Sequence, residues 1–367
     1  MASVAEGRGR RYYCYREVFP FATMVAMESI NVGLFTLFKA ATEHGMSYHA
    51  FLVYIYSIGA LILLPAPFIS YRSTVLPRLS LKIMAKIGLL GLIGSTSQMI
   101  GYTGIAYSSP TLASAISTLL PAFTFILAIL FRMEKVSIRS RSSQAKIIGT
   151  IVSMSGALMI TLYQGPAIIF RPKPSLSLKH SLHSLQSSNW TIGGVLLFAE
   201  YFLVTLWYTF QSHIMKEYPS QYTVIFYYDV VVSCITSIVG IYSEPNPNAW
   251  RVRGVGLASV IFSGLFNSCI NNCAYSWLLG WKGPFYVAMF KPISIAIAVA
   301  MGVVFLGDPL HLGSLIGATI ISIGFYTVMW GKVKEENEMV EENGASSTGS
   351  GPDHKVPLLQ NSGSHKV

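Results

Sequence analysis

The amino-acid sequence predicts an all-α polytopic membrane protein in which ten transmembrane helices form two inverted repeats of five helices. Of its 367 residues, 52% are hydrophobic and only 11% are charged, against about 25% charged in soluble domains. The apolar residues are grouped into runs of about 20, the length that crosses a bilayer as a helix. The repeats are predicted because several features of the first half of the chain recur in the second half.

Ten spans can be placed along the chain, and short turns separate most of them. They are numbered 1 to 10 in chain order and cover 18–40, 49–70, 83–105, 110–132, 145–165, 191–214, 221–243, 254–278, 284–306 and 311–331. A single long hydrophilic connection divides them into five plus five. The predicted organisation is an N-terminal tail (1–17), a first repeat (18–165), an inter-repeat loop (166–190), a second repeat (191–331) and a C-terminal tail (332–367). The C-terminal tail is polar, and it is expected to be disordered.

The distribution of Lys and Arg predicts the orientation, because cytoplasmic loops of membrane proteins carry an excess of these residues. A cytoplasmic N-terminus puts Arg8, Arg10, Arg11 and Arg16, with most other Lys and Arg near span ends, on the cytoplasmic side. Because the number of spans is even, both termini then lie in the cytoplasm. The plasma membrane is the favoured location, and a vacuolar or other endomembrane location is left open.

The two halves of the chain repeat several features in the same order. Glu28 in span 1 corresponds to Glu200 in span 6, at an offset of 172 residues. Gly149 and Gly156 correspond to Gly317 and Gly324 at an offset of 168 residues. Pro110 and Pro121 correspond to Pro284 and Pro292 in the same order along the chain. An odd number of spans per repeat forces the two copies into opposite directions across the membrane. Inverted repeats are typical of secondary transporters, which bind substrate near the bilayer midplane between the copies.

Glu28 and Glu200 are the first candidates for such a site. Each lies about ten residues into its span, or roughly 15 Å at 1.5 Å per residue, which is the bilayer midplane. An ionisable group at this depth is costly and is by default a functional hypothesis. The alternative interpretation is a neutral, hydrogen-bonded acid that only holds helices together. Matching depth in corresponding spans predicts that the two carboxylates share a polar cavity.

Further polar and aromatic side chains lie on one face of spans 1, 3, 6 and 8, or deep in span 9. The predicted substrate-binding residues are Glu28, Asn31, Gln98, Tyr102, Glu200, Trp207, Asn267, Asn271 and Lys291. Each of these residues has an alternative role to substrate binding. The amides can form hydrogen bonds between helices, the aromatic residues can serve in packing, and Lys291 can form a simple ion pair. Pro121 and Pro292 are predicted to interrupt spans 4 and 9, because a proline within a span frees a backbone carbonyl.

Several stretches carry a family resemblance between about Val18 and Lys332. They are 38–47 (Phe-Lys-Ala-Ala-Thr-Glu-His-Gly-Met-Ser), 115–124 with Met-Glu-Lys135, 282–292 (Lys-Gly-Pro-Phe-Tyr-Val-Ala-Met-Phe-Lys-Pro), Phe-Leu-Gly307 and 324–332. The sequence resembles the plant Walls-Are-Thin-related (UMAMIT) group of EamA-type proteins in the drug/metabolite transporter superfamily. The resemblance implies ten helices, two EamA-like repeats, and transport of amino acids or, in the founding member, auxin. Glu28 stands where many relatives carry a glutamine, and Asp308 replaces a glutamate.

The predicted mechanism is that of a secondary transporter for small organic solutes, with alternating access by rocking of the two repeats. An amino acid zwitterion needs an acceptor for its ammonium group and a donor for its carboxylate. Glu28 or Glu200 can supply the acceptor, and Lys291 can supply the donor. Either glutamate can instead carry a proton, so both are also proton-relay candidates.

Other functions are weighed against this one. An auxin-like or other organic anion needs one cation and aromatic walls, and the chain offers both. A membrane receptor or scaffold without transport would leave the internal symmetry unexplained. An enzyme is disfavoured because the chain contains neither His-Glu-x-x-His nor Gly-x-Ser-x-Gly. No cofactor, metal site or nucleic-acid partner is predicted. The expected partners are a small-molecule substrate and the lipid bilayer, and the sequence predicts no oligomeric state.

Overall fold

The computed structural model of the protein describes residues 18–72, 79–107, 110–133, 140–163, 166–169, 190–301, 303–304 and 310–348. The predicted N-terminal tail, most of the inter-repeat loop and residues 349–367 of the C-terminal tail lie outside the described residues. Within them, nearly the whole chain is helical.

The helices follow the predicted spans, and several spans are built from two or three pieces. In the first half they are α1 (Phe19–Glu43), α2 (Tyr48–Leu63), α3 (Pro65–Arg72), α4 (Leu81–Tyr107), α5 (Pro110–Ser117), α6 (Leu120–Leu130) and α7 (Arg141–Leu162). In the second half they are α8 (Trp190–Glu217), α9 (Gln221–Ser243), α10 (Val255–Ser263), α11 (Asn272–Trp281), α12 (Pro284–Ala288), α13 (Lys291–Met301) and α14 (Leu312–Thr348). A π-helical segment, Gly264–Asn271, joins α10 to α11 within span 8.

Nine helical stretches of the described residues are long and apolar enough to cross a membrane. The tenth crossing, span 4, consists of the two shorter helices α5 and α6. Large apolar side chains such as Ile151, Ile238 and Ile323 are exposed on the outer surface of these helices. An apolar outer surface of this extent is expected where the surrounding solvent is lipid. The predicted all-α polytopic architecture is therefore confirmed.

The contact between α7 and α14 has two-fold character. A Cβ atom on Gly149 would lie 2.6 Å from the carbonyl oxygen of Gly324, and one on Gly156 would lie 2.8 Å from that of Gly317. The repeat offset of 168 residues takes Gly149 to Gly317 and Gly324 to Gly156, so it converts the first pair into the second. The backbones can touch because none of these residues has a side chain. The glycines that were predicted to correspond therefore form the interface between the last helices of the two repeats. They pair in crossed order, the first glycine of one helix with the second of the other.

The other spans pack crosswise between the two repeats, in corresponding pairs. Span 3 packs against span 6 as span 8 packs against span 1, and span 2 packs against its counterpart, span 7. Spans 4 and 9 contact spans 6 and 1 in the same way. As a result, Glu28 of span 1 faces helices of the second repeat, whereas Glu200 of span 6 faces helices of the first.

Two features differ from the sequence prediction. A short antiparallel pair of strands, β1 (Ala167–Ile169) and β2 (Leu310–His311), links the inter-repeat loop to the start of span 10. The last helix, α14, also continues to Thr348, past the start of the predicted disordered tail. The segment 332–342 is rich in Lys and Glu, which are good helix formers, so a helix extends where polarity alone suggested disorder.

Candidate functional site

Glu28, in the middle of α1, is held by two side chains of the second repeat. Tyr275 Oη, on α11, donates a hydrogen bond to Glu28 Oε1 at 2.7 Å. Lys291 Nζ, at the start of α13, donates to Glu28 Oε2 at 3.3 Å and forms an ion pair with it. The Glu28 side chain is 1% exposed, whereas that of Lys291 is 26% exposed. The charge of the glutamate is thus balanced, and the lysine, which has three N–H donors, remains accessible.

A row of amide side chains extends this contact along span 8. Asn31 Nδ2 donates to Tyr275 Oη at 3.0 Å. Asn271 Nδ2 lies 3.0 Å from Asn31 Oδ1 and 3.3 Å from Asn267 Oδ1, and it donates to both. Asn271 Oδ1 is buried and has no hydrogen-bond partner among the described residues. An unpaired buried acceptor costs about 1–3 kcal/mol, so this oxygen is a place where a donor from a bound solute would be stabilised.

These residues are called the Glu28 network below, which consists of Lys291, Glu28, Tyr275, Asn31, Asn271 and Asn267. The π-helical segment, Gly264–Asn271, supplies its two amides on span 8. Single π-helical turns inside α-helices are frequent at functional sites. The structure therefore brings five of the nine predicted substrate-binding residues into one connected set.

Spans 4 and 9 are both broken where a proline begins their second half. In span 9 the helix stops at Ala288 and restarts at Lys291, with Pro292 as the next residue. In span 4 it restarts at Leu120, with Pro121 as the next residue. Proline is favoured at the first helical positions because it needs no hydrogen bond for its nitrogen. The break in span 9 places Lys291, the cation of the Glu28 network, at the N-terminus of α13.

Glu200, the counterpart of Glu28, has different surroundings. It lies on α8 directly against α4, since a Cβ atom on Gly101 would collide with its carboxylate. Its Oε2 atom is buried and has no hydrogen-bond partner among the described residues. The residue before Pro121 is Leu120, whereas the residue before Pro292 is a lysine. The corresponding carboxylates therefore differ: among the described residues, Glu28 is paired with a cation and Glu200 is not.

A row of aromatic rings runs from the Glu28 network across the interior. The ring of Tyr208 lies 6.3 Å from that of Tyr275 and 5.7 Å from that of Trp207. Trp207 in turn contacts Tyr228 at 5.7 Å, and Tyr228 contacts Tyr56 at 6.1 Å. Rings at these separations and in edge-to-face geometry attract one another. The predicted residue Trp207 thus lies in this row rather than in direct contact with a carboxylate.

The remaining two predicted residues, Gln98 and Tyr102, lie on α4 beyond the far end of the aromatic row. Gln98 Nε2 donates a long hydrogen bond of 3.5 Å to Tyr56 Oη. Tyr102, next to Gly101, stacks on Tyr48 with ring centroids 5.4 Å apart. These residues therefore belong to the Glu200 side of the interior.

The two carboxylates have different partners among the described residues, and their sharing of one cavity stays a prediction. Glu28 contacts spans 8 and 9, Glu200 contacts span 3, and the two side chains have no partner in common. Sequence reasoning also missed Tyr56, Tyr208 and Tyr228, which form the row between them. A tyrosine in the middle of a span was the available signal, because its hydroxyl needs a partner when buried.

Comparison with known proteins identifies the family. Two stretches of the chain, residues 22–162 and 191–330, match the EamA-like transporter family. The chain belongs to this family. The EamA-like transporter is 53% identical to the WAT1-related protein At3g28050 of Arabidopsis thaliana over 95% of its own chain and 97% of that protein. It is 49% identical to WAT1-related protein At5g40240 of the same plant, over 88% and 89% of the two chains.

Structural comparison finds a solved structure with a similar fold. A protein crystal structure superposes on the EamA-like transporter with a TM-score of 0.64 over 84% of this chain and 98% of that one. The two sequences are only 13% identical, so this likeness shows the fold alone. The protein is thus a multi-pass membrane transporter of the drug/metabolite transporter superfamily, and its family points to a transporter rather than an enzyme.

Proposed function

We propose that the protein carries amino acids across its membrane by alternating access between the two inverted repeats. The single observation that supports this substrate class is the ion pair of Lys291 and Glu28, with one nitrogen-to-oxygen distance of 3.3 Å. An amino acid zwitterion carries the same two charges in the opposite sense. Its carboxylate can replace Glu28 at Lys291, and its ammonium group can replace Lys291 at Glu28.

This exchange keeps the net charge of the site at zero with and without substrate. Burying a charge that has no partner is strongly destabilising, whereas exchanging one balanced pair for two avoids that cost. The unpaired Oδ1 atom of Asn271 offers a further acceptor for the ammonium group. A simple anion would instead leave Glu28 without its cation.

The positions of the partners support alternating access. Glu28 is on the first repeat, and Tyr275 and Lys291 are on the second, so the network spans the contact that must open. When a zwitterion separates Lys291 from Glu28, the direct link between the repeats is replaced by a link through the substrate. Substrate binding is then tied to the relative position of the repeats, as a carrier requires.

The test is flux of radiolabelled solutes into vesicles that contain the purified protein, with a panel of amino acids, auxin and a nucleotide sugar. Each is measured with and without a pH gradient, because Glu28 and Glu200 are the proposed proton-relay groups. We expect saturable amino acid flux. A matched control removes the surface ion pair of Lys86 and Glu217, which lies outside the network and should leave flux unchanged.

An auxin-like organic anion is the second candidate substrate, and the aromatic row favours it. Tyr208, Trp207 and Tyr228 form edge-to-face ring contacts with one another and provide aromatic surface suited to a flat apolar ring. The panel separates the two substrates, since auxin flux without amino acid flux would reject the zwitterion site.

Location in the plasma membrane, with both termini in the cytoplasm, belongs to the same proposal and is tested by localising a fluorescent fusion.

A further inference from the structure

A second buried carboxyl group lies outside the Glu28 network. Asp229, in the middle of α9, is 0% exposed, and neither of its carboxylate oxygens has a hydrogen-bond partner among the described residues. The hydroxyl of Ser268, on the π-helical segment of span 8, is also buried and also lacks a partner there. Buried polar groups are nearly always hydrogen-bonded, and each exception calls for a physical explanation.

Gly59 of α2 shows that these two polar groups meet at one point. A Cβ atom on Gly59 would lie 2.5 Å from Asp229 Oδ2 and would also collide with Ser268 Oγ. The junction is therefore built from span 2 of the first repeat and spans 7 and 8 of the second. Only a residue without a side chain fits on the first-repeat side.

The groups that face Asp229 include acids and neutral donors but no cation among the described residues. Tyr56 comes from α2, Tyr228 from α9 itself, and Cys269 and Cys273 from span 8. The nearby surface of α4 is contributed by glycines, which contact Tyr228 and Val231 of α9. An ionised carboxylate that is enclosed without a cation is strongly disfavoured.

A bound proton removes the buried charge of the Asp229 carboxylate more readily than a bound metal ion can balance it. A protonated carboxyl group is uncharged and has one O–H donor, for which the Ser268 hydroxyl is the adjacent acceptor. Hard metal cations take about six oxygen ligands or more. At this junction the unpartnered side-chain oxygens of the described residues are the two of Asp229 and the one of Ser268.

We propose that Asp229 is a proton-binding site that holds span 2 against spans 7 and 8 while it is occupied. When the junction opens, water reaches the carboxyl group. The O–H bond then breaks, its electron pair stays on the carboxylate, and water accepts the proton. The ionised group opposes closure until it is protonated again. If the protein transports solutes as proposed above, movement of the repeats is thereby coupled to a proton at a site separate from the substrate.

The first test is infrared spectroscopy of the full-length protein in lipid vesicles at neutral pH. A protonated carboxyl group has a C=O stretching band that an ionised carboxylate lacks. The chain contains three aspartates, Asp229, Asp308 and Asp353, so isotope-labelled aspartate shifts only bands from these residues. We expect one label-sensitive band of a protonated acid, absent from Asp229→Asn and retained in Glu200→Gln.

Two outcomes overturn the proton site. One is a wild-type spectrum without a label-sensitive band of a protonated acid, and the other is persistence of that band in Asp229→Asn. The wild-type spectrum tests the proton site even if the Asp229→Asn variant does not fold. Ser268→Ala keeps the acid and removes its neighbour, so the band should remain and shift in frequency.

Flux in the same vesicles tests the coupling. We expect a pH gradient to accelerate solute flux in wild-type protein, and we expect this acceleration to be lost in Asp229→Asn. Equal acceleration in both proteins overturns the coupling but leaves the protonated band in place. Absence of flux in wild-type protein rejects the proposed transport function and does not affect the infrared result, so the two failures are distinguishable.

Discussion

Lys291 and Glu28 form an ion pair that joins the two repeats, with the lysine at the start of α13 and the glutamate in the middle of α1. The pair is unsymmetrical in exposure, since the glutamate is enclosed and the lysine is accessible. A solute that approaches the site therefore meets the cation first, and the carboxylate is reached only when the pair separates.

Removing either charge of this pair is expected to impair transport, because a zwitterion needs both charges. In Glu28→Gln, Lys291 loses its counter-charge and Tyr275 keeps only a neutral acceptor, so we expect flux to fall at least about tenfold, equivalent to about 1.4 kcal/mol. Lys291→Gln should act similarly. The measurement is initial flux at equal amounts of folded protein in vesicles.

The double variant with both glutamines is the informative control for the ion pair. It leaves no unpaired charge, so it should recover thermal stability while remaining unable to bind a zwitterion. Wild-type flux in Glu28→Gln would remove this residue from the mechanism.

Tyr275→Phe is expected to destabilise the protein and loosen the Glu28 network. The substitution removes the donor to Glu28 Oε1 and the acceptor for Asn31 Nδ2. Loss of hydrogen bonds to a buried charged group should cost about 2 kcal/mol, measured as a lower melting temperature in detergent. Tyr242→Phe is the matched control because Tyr242 is 91% exposed. An unchanged melting temperature in Tyr275→Phe would contradict the network.

Gly101→Ala is expected to destabilise the protein, and Glu200→Ala should relieve the defect. The new methyl group would collide with the Glu200 carboxylate, and overpacking of this kind costs about 1–3 kcal/mol. The double variant removes the colliding atoms, so its melting temperature should lie above that of Gly101→Ala alone. Gly88→Ala is the control, because nothing lies within 4 Å of its Cβ position. Additive losses in the double variant would contradict the contact.

Lys146→Ala is expected to be more destabilising than Lys86→Ala. Lys146 on α7 is 0% exposed and contacts both carboxylate oxygens of Glu335 on α14, at 3.0 and 2.9 Å. Breaking a buried pair typically costs about 3–5 kcal/mol. The pair of Lys86 with Glu217 is exposed to solvent, and such pairs contribute little. Thermal melting of both variants gives the comparison, and equal shifts would show that the buried pair adds nothing.

The architecture could be predicted from the sequence because span length and internal repetition are properties of the chain itself. Apolar runs gave the spans, and corresponding glycines gave the repeats, which meet as Gly149 with Gly324 and Gly156 with Gly317. Position along a helix follows from counting residues, and Glu28 lies near the middle of the helix Phe19–Glu43. These features depend on distance along one helix.

Contacts between helices were harder to predict, because residue spacing fixes depth but not the direction that a side chain faces relative to other spans. Glu28 and Glu200 lie at corresponding positions, yet within the described part of the chain only Glu28 contacts a lysine. The π-helical segment also changes the angle between successive residues in span 8, so a regular helical period does not fix the partners of Ser268. Gly59, Asp229 and Ser268 come from three different spans and meet at one point, and nothing in their spacing indicates this contact.

The crossed glycine contact of α7 and α14 has a consequence for the separated halves of the chain. Exchanging the two helices reproduces the same glycine pairing, so the glycines of each helix match those of a copy of the same helix as well as those of the natural partner. Such a surface is the requirement for a symmetric dimer. A polypeptide that comprises only the first five spans would therefore carry, on its last helix, the means to assemble with a second identical polypeptide.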